Sequence, residues 1–504
     1  MQFIKILLKM LQKQIRTSRA YLFISMHFWK LFSGTVFTLA ILFSLFLWAH
    51  YDTEQSGFQF VYNFPIVTYN CSDIEFIIGI DGISICFLLL TSYVMLLCWM
   101  SAIYQKNSNT AFLVCLLLVE FFLILSFIIV DILFFYVFFE SVLIPMFIII
   151  GHWGSRDRKI RAAYYFFLYT LFGSLFMLFG ILYIYSLAGT TDLFELLHES
   201  FSYEEQLSLW FCFFIPFAIK IPMFPFHIWL PEAHVEAPTI GSVILASLLL
   251  KLGSYGFLRF TIPLFPVACD YFSPLVYSLA IVSIIYASLV TIRQVDLKRI
   301  IAYSSIAHMN LIVLGLFSYT QEGLDGAIYL MIGHGVVSSG LFFCVGVLYD
   351  RYQSRMLQYY GGLASVMPYF SVFFFFFTLG NMGFPGTSNF VGELLILIGI
   401  FETNAIVMVF AATGIVFSAI YSIWLFNRII FGPVKVESWM SEEDKLAKKI
   451  VEFHDVTEHE GEILLNLTIF MFGLGIHSGF ITELTAGSVA QIIIYTSGNY
   501  FYYY

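Results

Sequence analysis

Seven ionisable side chains, Glu120, Glu140, Lys220, Lys251, His308, His334 and Glu393, each fall near the middle of a long apolar run. A lone charge at the centre of a bilayer costs roughly 2.5–3.5 kcal/mol on insertion scales. Such groups must therefore face a protein interior or a hydrated cavity and pair with one another. Amines, carboxylates and imidazoles in that setting suit one chemistry, the binding and release of protons. An amine held between the cost of burial and the pull of a carboxylate can carry a proton, and histidine is the side chain whose unperturbed titration lies nearest neutrality.

Lys220 lies in "FFIPFAIKIPMFPFHIWLPEAHVEAPT", a helix-like run followed by Pro222, Pro225 and Pro231. Proline removes a backbone N–H and frees a carbonyl one turn back. In lipid those groups need partners, so the break must line protein or water. A lysine snorkelling outward is the alternative, and the mid-span position counts against it. Glu140, in "ILFFYVFFESVLIPMFIII", has Ser141 as its one polar neighbour. It is either an anchor bonded to an adjacent helix or the carboxylate partner of a buried amine. Lys251 closes "GSVILASLLLK". His308 in "AYSSIAHMN" and His334 in "YLMIGHGVVSSG", flanked by Ser304, Ser305, Ser338 and Ser339, read as a hydrated polar track. Glu393 follows a second break at Gly383, Pro385 and Gly386 in "NMGFPGTSNFVGELLILIGIF". Glu120 either joins this series or anchors its own helix.

The elements that must position these groups are membrane helices. The chain has 504 residues, 60% hydrophobic and 11% charged, with mean hydropathy +0.87. Soluble domains carry about 25% charged residues, so the solvent here is a bilayer. Thirteen stretches suit transmembrane helices, near 31–50, 80–103, 110–129, 131–151, 164–187, 208–232 (broken), 239–260, 273–293, 298–318, 324–349, 366–402 (broken), 405–431 and 463–483. With each broken stretch counted as one crossing, all 24 Lys and Arg except Lys220, Lys251 and Arg259 fall on one face. That asymmetry is the positive-inside rule, and the face bearing it is called inner below. Arg259 is expected at the outer face. The first 30 residues, basic throughout, suit an interfacial anchor or a targeting segment.

The two interrupted spans lie five apart, and each carries one ionisable group beside its break. Paired broken helices point to a transporter built from inverted repeats. The expected organisation is a basic segment over 1–30, leading helices over 31–109, a first inverted repeat and half-channel over 110–260, a second over 273–431, a loop over 432–462, and a last helix and tail over 463–504. The fold class is an all-α polytopic membrane protein. The net charge of -9 excludes nucleic acid as a partner. The seven cysteines make no CxxC pair, so no metal or iron–sulfur site is expected. No phosphate-binding loop is readable. The 59 Phe and 31 Tyr suggest the codon bias of an organelle genome.

The segments "IKIPMFPFHIWLPEAHVEAPTIGSVILASLLLKLGSYGFLRF", "VDLKRIIAYSSIAHMN", "IGHG" and "GFPGTSNFVGELLIL" resemble the antiporter-like membrane subunits of respiratory complex I and of Mrp-type cation/proton antiporters. The likeness runs from about residue 78 to 480. Glu393 is similar to the glutamate that one subunit type carries in its second broken helix, where its sisters carry lysine, and this chain ends soon after its last span. The resemblance implies that Glu140 pairs with Lys220, the proton-bearing lysine of the first half-channel. Lys251 would connect the halves, His308 and His334 would continue the axis, and Glu393 would be the terminal proton site. It implies no flavin, iron–sulfur or quinone site in this chain, and as partners the other membrane subunits of the complex, the lipid bilayer and protons. The mitochondrial inner membrane is the implied location, with a bacterial plasma membrane as the alternative. The family usually begins with a further apolar helix, which residues 1–30 are too basic to be. A free-standing Na⁺ or K⁺/H⁺ exchanger and a purely structural membrane spacer are the competing readings.

Overall fold

The computed structural model describes residues 19–69, 72–104, 109–435 and 454–498. Most of the basic segment over 1–30, most of the loop over 432–462, and the end of the tail lie outside those residues. The principal helices are α1 (Arg19–Ala49), α2 (Gly82–Tyr104), α3 (Thr110–Ile128), α4 (Ile132–Trp153), α5 (Lys159–Ala188), α6 (Tyr203–Lys220), α7 (Trp229–Glu236), α8 (Thr239–Leu264) and α9 (Pro266–Arg293). They continue as α10 (Leu297–Leu316), α11 (Gln321–Tyr352), α12 (Pro368–Asn381), α13 (Ser388–Thr403), α14 (Ala405–Ile430), α15 (Glu458–Ile476) and α16 (Gly479–Gly498). Among the described residues ten helices are long and apolar enough to cross a bilayer, and eleven if the α15–α16 pair, bent by 65°, counts as one span.

Local sequence explains where these helices stop. α6 opens on a capping box, in which Glu205 accepts from the Ser202 N–H at 2.8 Å. It ends at Lys220 because Pro222 cannot donate the next helical hydrogen bond. Pro368 at the start of α12 has no N–H to leave unsatisfied. Between α12 and α13 the chain turns through Gly383 (φ 68°) and Gly386 (φ 95°), a left-handed backbone that favours glycine.

The bundle has a protein-buried interior and a lipid-facing rim. The most apolar stretches of α8 and α11 are buried throughout, whereas only about a third or less of those of α1 and α14 is buried. α11 packs along α13 through small residues: Gly326 abuts the Ile396 backbone and Gly392 abuts Leu330. With no hydrophobic drive between helices in lipid, such close backbone approach is what binds them.

Two features depart from the all-α expectation with its simple tail. Residues before α2 form an antiparallel hairpin of β1 (Gln59–Tyr69) and β2 (Ser72–Ile80), with Tyr62 opposite Ile78 and Phe64 opposite Phe76. Aromatic and β-branched residues dominate both strands, and Val130 N donates to Ile77 O at 3.1 Å, tying the hairpin to the α3–α4 connection. The last span is shorter than expected, because the chain bends after Ile476 into the separate helix α16.

Candidate functional site

α8 departs from ideal geometry around its lysine. Two five-residue π-helical segments, Leu245–Leu249 and Phe257–Thr261, flank Lys251. Wider π turns recur at functional sites. Here the Ala246 carbonyl accepts from Lys251 Nζ at 2.7 Å. The same ammonium lies 2.8 Å from His334 Nδ1 on α11. With Nδ1 accepting, the opposite nitrogen is free to donate to Ser305 Oγ on α10, 3.1 Å away. The His334 and His308 rings are 5.6 Å apart, centroid to centroid. His308 Nδ1 stands 3.2 Å from Glu393 Oε1 on α13. All four ionisable groups are buried. Lys251, His334, His308 and Glu393 therefore form one row across α8, α11, α10 and α13.

The row closes at the second break. A side chain at Gly383 would collide with the Glu393 carboxylate, so the glycine that makes the turn also admits the acid. Tyr421 of α14 stands beside Glu393, and Asn381 Nδ2, at the end of α12, donates to Ser422 Oγ at 3.0 Å.

The first half is arranged more loosely. Lys220 is buried at the end of α6, and its Nζ has no hydrogen-bonding partner among the described residues. It sits 4.3 Å from the centroid of the Phe139 ring. Glu140 is the next residue on α4, close enough for the two charges to interact, and Ser174 of α5 lies against it. Its Oε1 makes no hydrogen bond among the described residues. The expected Glu140–Lys220 pair is thus a juxtaposition, with the amine over the Phe139 ring, and not a contact ion pair. Gly253 of α8 lies against the Lys220 side chain, which puts the two lysine-bearing helices in direct contact. Glu120, on α3, is buried, with Oε1 unpaired and no charged neighbour acting on it among the described residues.

The structure adds detail to three expectations. Arg259, expected at the outer face, is paired: its Nη2 meets Asp81 Oδ1 at 2.6 Å, and both side chains are buried. Lys298 and Arg355, counted in inner loops, are buried too, because inner-end carbonyls and acids surround them. Of the serines flanking the histidines, Ser304, Ser338 and Ser339 bond back to carbonyls of their own helices, and only Ser305 reaches a histidine.

The sequence reading passed over His234. It is fully buried on α7, stacks on Phe342 at 4.9 Å, and has both ring nitrogens unpaired. Lys251 and Lys298 are both near enough for their charges to act on it. The signal was present in "LPEAHVEAPT": an imidazole just past a helix break, on the side that must line protein.

Residues 129–418 match the family model described as NADH:quinone oxidoreductase/Mrp antiporter, TM. NADH-ubiquinone oxidoreductase chain 4 of Chondrus crispus is 52% identical over 453 residues, spanning 90% of this chain and 89% of the relative. The protein of the same name from Arabidopsis thaliana is 51% identical over 460 residues, 90% of each chain. Among solved structures, a chain of respiratory complex I from Thermus thermophilus with bound NADH superposes with TM-score 0.82 at 29% identity, over 93% of this chain and 95% of that one. A chain of the Mrp complex from a Dietzia species shares the fold, with TM-score 0.81 at 19% identity over 94% of each.

Proposed function

This chain belongs to the NADH:quinone oxidoreductase/Mrp antiporter family, among its NADH-ubiquinone oxidoreductase chain 4 members, and from that membership we propose how its buried charges move protons. It is an antiporter-like, proton-translocating membrane subunit of complex I, in the mitochondrial inner membrane, held among the other subunits of that assembly. It serves an NADH:ubiquinone oxidoreductase whose redox chemistry lies elsewhere, and this chain holds no redox centre of its own.

The chain makes thirteen crossings, counting α6–α7 and α12–α13 as one interrupted span each. Residues 110–260 and 273–431 form two inverted repeats, each a half-channel. Glu140 and Lys220 are the switch of the first half. Lys251 and His334 join the halves, and His308 and Glu393 hold the proton in the second. The observation that carries this reading is the continuous row from Lys251 Nζ to Glu393 Oε1, with successive separations of 2.8 Å, 5.6 Å between rings, and 3.2 Å. A proton can pass from Nζ to Nδ1 along the first of these bonds. The unpaired Lys220 Nζ and His308 Nε2 mark where water would bridge the rest.

The first half works by distance. A carboxylate and an ammonium brought to about 4 Å gain about 4 kcal/mol at an effective dielectric of 20. Moving one charge through 100 mV takes roughly 2.3 kcal/mol. Drawing Glu140 closer to Lys220 tightens the amine's hold on its proton by a part of that energy, and releasing it lets the proton go. The test is Lys220→Ala and Glu140→Gln in the assembled complex. Loss of proton pumping with the complex intact is expected. NADH oxidation coupled to undiminished pumping in both variants would reject the reading.

A further inference from the structure

The two broken helices are held at their inner ends from one place, the C-terminal end of α11. Arg351 stands in the last turn of that helix and Arg355 just beyond it. Arg355 is wholly buried. Its Nη1 donates to the Val235 carbonyl and to Ser155 Oγ, the latter at 3.2 Å. Its Nη2 lies 3.7 Å from Glu236 Oε1 and its Nε 3.6 Å from Asp296 Oδ2. Lys298 adds a bond from Nζ to the Ala237 carbonyl at 2.8 Å. These carbonyls close α7, where backbone oxygens lack helical partners and the helix dipole is negative, so two cations there fill unmet bonds.

Arg351 acts on the other broken helix through an intermediary. Its Nε and Nη2 donate to the His454 and Asp455 carbonyls at 2.9 and 2.8 Å. The same guanidinium forks onto Glu460 at 2.9 and 2.6 Å. Held in this way, the Asp455 carboxylate accepts from Tyr369 N at 2.9 Å and Phe370 N at 3.1 Å, two backbone donors of the first turn of α12. α12 leads to Gly383, which lies against Glu393. α7 leads back to the break beside Lys220.

We infer that Arg351 and Arg355 form a yoke at the inner end of α11 that couples the positions of the two broken helices. They are positioning residues for both half-channels, and the inference rests on the reading of those helices as half-channels. α11 is buried along its span and carries His334, so a shift of its inner end is a shift of the group that joins the halves. A yoke moves both helices together. Two independent caps would each steady one helix and leave the other untouched.

Hydrogen–deuterium exchange on the intact complex separates these outcomes without measuring pumping. Arg355→Gln should speed amide exchange over 221–237 and, by about tenfold, over the distant 369–387 segment. Asp455→Asn, at a half-exposed site, should do the reverse, loosening 369–387 and with it 221–228. Asp455→Glu, which keeps the carboxylate, should restore protection. Faster exchange confined to the helix next to each substitution overturns the yoke, and the Asp455 pair decides alone if Arg355→Gln fails to assemble. Normal pumping by Lys220→Ala would instead remove the half-channel reading and leave the exchange result standing.

Discussion

Glu393→Gln keeps the shape of the side chain and removes its charge. The carboxylate oxygen lies 3.2 Å from His308 Nδ1, with both side chains buried. When the transferred proton sits on His308, opposite unit charges at that distance attract by about 5 kcal/mol at an effective dielectric of 20. Measured losses on removing one partner of a buried pair run at about 3–5 kcal/mol. Taking the lower figure, a transfer step that needs the proton held between imidazole and carboxylate slows by about a hundredfold or more. The packing cost is small, because glutamine fills the same space against Gly383 and α13 keeps its contacts with α11. The assay is NADH oxidation and proton uptake by the reconstituted complex in sealed vesicles. Expected are normal assembly, loss of most pumping through this chain and slowed turnover. Full turnover with an unchanged number of protons per NADH would refute the argument.

Lys251→Met removes the donor that His334 accepts from at 2.8 Å while keeping much of the volume, and pumping should fall as far as in Glu393→Gln, with the complex still assembled on a native gel. Asp81→Ala leaves Arg259 buried without its carboxylate; the cost is about 3–5 kcal/mol, read as a lower melting temperature and reduced incorporation of the chain into the complex. Gly383→Ala forces a side chain into a left-handed backbone at φ 68° and against the Glu393 carboxylate; a strain of about 1–2 kcal/mol should leave the complex assembled but lower its proton-to-electron ratio.

The helical membrane fold and the mid-span charges were legible because a bilayer demands long apolar runs and makes each exception visible. Lys220 and Glu393 announce themselves by sitting beside Pro222 and Gly383. The hairpin of residues 59–80 was not legible by the same means, since counting apolar runs overlooks short aromatic and β-branched strands. Depth was also hidden. Lys298 and Arg355 obey the positive-inside rule, which assigns a face but not exposure, and the structure buries both against the closing carbonyls of α7. The placement of the Lys220 amine over the Phe139 ring, with no contact ion pair to Glu140, depends on how α4 and α6 pack, and no spacing in either segment encodes it.

The central claim is a continuous route for protons from Glu140 through Lys220, Lys251, His334 and His308 to Glu393. A map of the intact complex at a resolution that shows ordered water tests it most directly. The account predicts waters bonded to Lys220 Nζ and His308 Nε2, linking the lysines to each other and the two histidines at mid-depth. A dry apolar gap on either side of Lys251, in both resting and turning-over complex, would contradict it.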